Sequence, residues 1–183
     1  MTLAPDPFIA AGPIAAAADV TRRILSRAAL VARLAQARRR GQRIAFTNGC
    51  FDLLHAGHIQ SLERVKRLAD VLVVGINNDA SVRRLKGPGR PLVPQQDRAR
   101  VLAALRAVDY VTIFPEDTPA ALIAAVRPDV LAKGADWSAR DIVGADVVRR
   151  RGGQVLRIPF LAGRSTTRLI HRIEKRLAAR ASG

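Results

Sequence analysis

Cysteine is nearly absent from this chain: Cys50 is the only one in 183 residues. No internal disulfide can form, and no zinc cage can be built from cysteines. A lone cysteine fits a reducing cytoplasm, where the chain is expected to work. Aromatic residues are scarce as well, with one Trp, one Tyr and five Phe. They are not interleaved with basic residues, which argues against a module that stacks nucleic-acid bases. Nothing reaches the roughly 18 apolar residues that a membrane-crossing helix needs, so no membrane association is expected. The apolar stretch 9–18 follows Asp6 rather than a basic segment and holds Gly12 and Pro13, so a secretory signal is not expected either. Acidic residues are in deficit: 15 against 31 basic ones, for a net charge of +16. Such a field attracts nucleotides, phosphosugars, nucleic acid or acidic lipid. A surface merely rich in arginine has the same composition, so charge alone selects no function.

What is present is an ordinary globular composition, 49% hydrophobic and 25% charged, long enough for one domain with an appendage. Residues 1–14 hold three prolines and a glycine and read as an irregular lead. Residues 15–40 are rich in Ala, Leu and Arg, end at Gly41, and read as helix. From residue 43 strands and helices alternate. Apolar runs at 43–47, 71–76, 110–114, 130–132 and 154–158 predict strands. That at 71–76 is continuous enough to be buried on both faces. Helical patterns fall near 57–69, 96–107, 118–126, 144–151 and 166–180. The order predicts an α/β fold, a Rossmann-like doubly wound parallel sheet with an N-terminal helical extension. The boundaries are 1–40 for the extension and 41–183 for the α/β domain. Ligands in such folds sit beyond the carboxyl ends of the strands, which directs attention to the residues just after 47, 76, 114, 132 and 158.

The first of these turns reads Gly49-Cys50-Phe51-Asp52-Leu53-Leu54-His55-Ala56-Gly57-His58. A helix begins here, and its free N–H groups and positive dipole end suit phosphate. Gly57 lets a triphosphate approach the backbone closely. His55 and His58, three apart, fall on one side of the helical turn. Together they can hold phosphate oxygens and stabilise negative charge growing on a phosphorus. A zinc site is weaker, since no third ligand is evident. A dinucleotide fingerprint G-x-G-x-x-G is absent. Near the last helix, Gly163-Arg164-Ser165-Thr166-Thr167 supplies hydroxyls and N–H groups that can cap the helix, bind phosphate, or both.

These two stretches resemble the H-x-G-H and serine-threonine signatures of the cytidylyltransferase-like nucleotidyltransferases. The likeness extends to the heptose 1-phosphate adenylyltransferase branch through Asn77-Asn78-Asp79-Ala80-Ser81, Arg84-Leu85-Lys86-Gly87, Arg90-Pro91, Glu116-Asp117-Thr118-Pro119, Pro128-Asp129 and Lys133-Gly134. It covers about residues 41–174. No sugar-kinase half lies in these residues, so the resemblance is to the stand-alone form. It implies transfer of AMP from ATP to D-glycero-β-D-manno-heptose 1-phosphate for lipopolysaccharide inner-core synthesis. Where the family usually has Gly-Gly-Asp after the fourth strand, this chain has Gly134-Ala135-Asp136.

The resemblance implies a division of labour. His55, His58 and Lys86 carry catalysis, with Lys86 on a loop able to close over a ligand. Gly49, Cys50, Phe51, Gly57, Gly163, Ser165, Thr166 and Thr167 line the nucleotide site. Arg98 is a candidate phosphate clamp or else the partner of a neighbouring carboxylate. Lys133 and Asp136 are candidate contacts for the sugar or ribose hydroxyls, or else pair on the surface. His171 reads as a surface residue. No metal-ligating residues are expected, and Mg²⁺ arrives mainly on the triphosphate. The partners are ATP and a sugar 1-phosphate, with no nucleic acid. The sequence leaves open whether the chain is a monomer or a homo-oligomer. A cytidylyltransferase acting on glycerol 3-phosphate would share both signatures, and +16 keeps a nucleic-acid-binding module as the alternative of another class. Because the resemblance begins after the extension, deletion of residues 1–38 is expected to leave transferase activity.

Overall fold

The computed structural model describes residues 19–135, 142–159 and 165–181. Five strands, β1 (Ile44–Gly49), β2 (Val71–Asn77), β3 (Tyr110–Phe114), β4 (Val130–Gly134) and β5 (Gln154–Ile158), form one parallel sheet in the order β3-β2-β1-β4-β5. The chain steps outward from β1 to β3, then returns to the other side of β1 for β4 and β5. Strand order therefore reverses between β1 and β4, and the crevice beyond their carboxyl ends is where this topology offers a binding site.

Helices α1 (Arg27–Arg39), α5 (Ala120–Val126) and α6 (Ala145–Arg150) cover one face; α2 (Ala56–Lys66) and α4 (Gln95–Ala103) cover the other. Side chains alternate across each strand, and the two cores show it. Ile44 and Phe46 join Leu30, Leu34, Ile123 and Val126 on the first face, while Ala45 and its neighbours Leu72 and Val74 join Leu62, Val65 and Leu102 on the second. Every residue of β2 is buried, as its unbroken apolar run implies. Gly75 in that strand is a packing requirement. A Cβ there would lie 2.9 Å from Phe46 Cζ and 3.0 Å from Leu122 Cδ2. Gly75→Ala is expected to destabilise the protein by about 1–3 kcal/mol through overpacking, read as a lowered urea midpoint with unchanged slope.

Two features differ from the sequence expectation. The N-terminal segment is not one helix: a 3₁₀ turn at Val20–Arg23 is followed by extended residues, and only then by α1. The break has two causes. Ile24 and Leu25 run beside β3, where Leu25 N donates to Val111 O at 2.9 Å, and Ser26 caps α1 through Ala29 N. Nor does the segment stand apart from the sheet. Leu30 and Leu34 are fully buried in its first core, and Arg23 Nη1 donates to Ala103 O and Val108 O, each at 3.2 Å. The second difference is a helix that the sequence reading did not identify, α3 (Asp79–Lys86), capped by the Asn78 side chain on Ser81 N at 2.8 Å. A long final helix, α7 (Thr166–Ala181), completes the described chain.

Candidate active site

A cleft of about 880 Å³ opens at the carboxyl ends of β1 and β4. Its floor is the turn after β1. A Cβ at Gly49 would stand 3.2 Å from the Phe51 ring, close enough that the ring would have to shift. Phe51 itself adopts a left-handed conformation, φ +48°, uncommon for a bulky residue and characteristic of functional turns. That conformation tilts its ring against His58, with centroids 5.3 Å apart. His58 is thus held between Phe51 and His55, whose rings stack at 3.9 Å. His55 is the N-cap residue of α2, and Gly57 is buried in the first turn. The pair stands at the positive end of a helix whose first N–H groups are available to an anion.

Burial, followed by the charge of His55, pushes the His58 imidazole down to about 4. His58 is therefore neutral at neutral pH and acts first as a hydrogen-bonding group. Its Nδ1 is buried without a hydrogen-bond partner among the described residues. Burial also pushes the Cys50 thiol up, which leaves it protonated and unreactive at neutral pH, despite Lys86 and other cations nearby.

Four walls surround this floor. The first turn of α7 contributes Ser165, Thr166 and Thr167. Ser165 caps the helix through Arg168 N at 3.2 Å, and the Thr166 hydroxyl donates to Leu53 O at 3.1 Å, tying the helix start to the β1 turn. From β4, Lys133 Nζ donates to Asn48 O and Oδ1, each at 3.1 Å, and so bridges the point where strand order reverses. Lys86 enters from α3, and Asp117, Thr118 and Pro119 enter from the segment after β3. Gly163 and Asp136 lie outside the described residues.

Two expectations need correction. Lys86 is not on a loop but is the exposed last residue of α3, with Gly87 at φ +99° ending the helix. It still faces the cleft, now from a helix end instead of a mobile segment. Arg98 does not line the cleft at all. It is 1% exposed, pairs with Asp79 at 2.6 Å, and donates to Val93 O, Cys50 O and Asn77 O. Its guanidinium fastens the turn after β1, the end of β2 and the start of α4 to one another, so its charge is spent on structure instead of substrate.

Sequence reasoning assigned no role to Asp52 and Arg90, which also line the cleft. The Asp52 carboxylate is 1% exposed. It accepts from Arg90 Nε, from Leu92 N at 2.8 Å and from Val93 N at 3.0 Å. The available signal was a lone carboxylate inside an otherwise apolar turn, since a buried charge requires partners. Among the described residues no three His, Cys, Asp or Glu side chains converge as a metal cage.

The parallel sheet, the reversal point and a helix-start histidine pair define an α/β site of the nucleotidyltransferase kind. The chain belongs to the cytidylyltransferase-like family, whose model matches residues 46–172. It is similar to the bifunctional protein HldE of Syntrophotalea carbinolica, 56% identical over 136 residues, covering 74% of this chain and 28% of that one. It is also similar to HldE of Pelobacter propionicus, 49% identical over 175 residues and covering 96% and 36% of the two chains. The chain thus spans about a third of the length of these curated relatives. Among solved structures, the lipopolysaccharide core biosynthesis protein of Thermoplasma volcanium is 26% identical, with a TM-score of 0.53 over 66% of this chain and 98% of that one. Pantothenate synthetase of Thermus thermophilus, 20% identical with a TM-score of 0.55 over 76% and 62% of the two chains, shares the fold.

Proposed function

We propose that this chain transfers AMP from ATP to D-glycero-β-D-manno-heptose 1-phosphate, giving ADP-heptose and pyrophosphate for the lipopolysaccharide inner core. The observation that carries this reading is the stacked His55–His58 pair at the start of α2, facing Lys86 and the hydroxyls of α7 across one cleft. The HldE relatives and the named core-biosynthesis structure support a sugar phosphate as acceptor. A phosphate oxygen of the sugar attacks the α-phosphorus in line. The bond from that phosphorus to the bridging oxygen breaks, and pyrophosphate leaves with the electron pair. The nucleophile is already an anion, so no strong general base is needed. The protein's task is to bring two mutually repelling anions together and to stabilise the charge of the transition state. His55 and His58 donate to oxygens of the α-phosphate. Lys86 neutralises the phosphates as a point charge, and the start of α7 holds the outer phosphates.

Mg²⁺ arriving with the triphosphate would neutralise charge on the leaving pyrophosphate. No described helix is long and apolar enough to cross a membrane. Both proposed substrates are water-soluble and ATP is an intracellular donor, which supports a reaction in the cytoplasm. The deciding experiment offers ATP and CTP together with heptose 1-phosphate and follows which sugar nucleotide accumulates. ADP-heptose should predominate. A pocket built for one base leaves polar groups unpaired with the other, at about 1–3 kcal/mol for each group. Predominance of CDP-heptose would overturn the adenylyl assignment.

A further inference from the structure

The main cleft does not end at Lys86. Beyond it a side recess of about 330 Å³ lies between the segment 87–92 and the second turn of α7. The two cavities share Lys86, Arg90 and Thr167, so two cations stand at the junction. The recess adds Ile170, His171 and Glu174, none of which borders the main cleft. Its chemistry differs accordingly. Glu174 forms no ion pair among the described residues, and its carboxylate would repel a triphosphate while accepting hydrogen bonds from neutral hydroxyls. The recess therefore suits an uncharged polyol, and the junction suits the phosphate attached to it.

Arg90 is built for that junction. Its Nε is occupied by Asp52, whose carboxylate is itself fixed by Leu92 N and Val93 N. Neither terminal nitrogen of Arg90 donates to a described residue. One edge of the guanidinium is thus anchored and the other is presented, an arrangement that aims a fork of donors at phosphate oxygens. We propose that Arg90, positioned by Asp52, seats the phosphate of the acceptor, and that the side recess holds its sugar, with Glu174 reading the hydroxyls. This inference rests on the proposed transfer to a sugar phosphate and assigns that substrate its own subsite.

The test is steady-state kinetics with ATP and heptose 1-phosphate varied separately. Arg90→Gln should raise the acceptor KM about 10- to 100-fold and leave the ATP KM within about twofold, the size expected for a lost charge-assisted hydrogen bond. Arg90→Lys, which keeps the charge without the fork, should recover part of the loss. Glu174→Ala, on an exposed helix face, should raise the acceptor KM about three- to tenfold. Asp52→Asn should raise the acceptor KM selectively, whereas a merely structural role would lower stability without splitting the two KM values. If wild-type enzyme turns over and Arg90→Gln raises the ATP KM instead, or neither, the subsite is wrong while the proposed function stands. If wild-type enzyme releases pyrophosphate with no sugar phosphate, the proposed function falls and the subsite with it.

Discussion

Replacing His58 with alanine should lower kcat by about 10²–10³ and leave the protein folded. That is the usual loss when one preorganised donor to a developing charge is removed. The ring is half-buried on the floor of the cleft, and its removal leaves the apolar residues of both hydrophobic cores in place. What it supplies is orientation. Stacking on His55 and contact with Phe51 fix the plane of the ring before substrate arrives, so no ordering is needed during reaction. Circular dichroism and pyrophosphate release on the same preparation are the required measurements. A folded His58→Ala enzyme with near-normal turnover would remove the mechanism.

The same residue carries a pH signature. In the unfolded chain His58 takes up a proton as pH falls through its ordinary 6.5, but in the folded protein only near 4. Between these values the unfolded state binds more protons, so acid favours unfolding. The stability associated with a neutral His58 is complete above about pH 6.5 and is lost progressively down to about 4. Wild-type protein should therefore lose stability relative to His58→Ala across that window, measured by urea denaturation at several pH values. A His58 ring signal that titrates near 6.5 in the folded protein would contradict the burial argument.

What could be read from the sequence follows from how local the cause is. The strands 110–114 and 154–158 carry their signal within themselves, and the structure places them at those same bounds. The β1 turn was also legible, because a histidine pair at a helix start after a strand is a local pattern with a physical use. The helix α3 was not. Its eight residues bury only Ser81 and Val82, too short an apolar stripe to register, and its cap depends on one asparagine. Arg98 was legible only in part: the ion pair with a carboxylate was foreseen and is formed with Asp79, while its burial was not, for the opposite reason. In a helix that starts Gln95-Gln96-Asp97-Arg98 it resembles a surface residue, and what buries it are the carbonyls of Cys50 and Asn77 on two distant segments, together with the nearby Val93 carbonyl. Asp52 likewise acquires its meaning from the backbone of residues 92 and 93, about 40 positions away. Long-range partners of buried charges have no periodicity from which to be inferred.

The N-terminal segment is the case where that limit changes an expected result. The family model begins only at residue 46, yet the Pelobacter propionicus relative matches 175 residues of this chain, so similarity does not stop at the extension, and the core does not either. Leu30 and Leu34 have no exposed surface and pack with Phe46, Leu122 and Val126 in the first core. Arg38 donates to the carbonyls of Val126 and Arg127, satisfying the end of α5, and Arg27 pairs with Glu116 beside the cleft. Leu34→Ala alone is expected to cost about 2–5 kcal/mol through lost burial and the cavity left behind. Deletion of residues 1–38 removes both leucines, Ala37, the Arg23 ties and the Ile24 edge contact together. Two such leucines already approach the whole stability of a typical domain, about 5–15 kcal/mol. The truncated chain should therefore be unfolded or aggregated and inactive, in place of the retained activity that the family boundary suggests. Circular dichroism melts and pyrophosphate release on the deletion variant, beside Leu34→Ala, decide the matter. A truncated chain that melts cooperatively and keeps its turnover would show that α1 only decorates the sheet. A cooperative melt without turnover would move its role to the cleft rim, through Arg27 and Glu116.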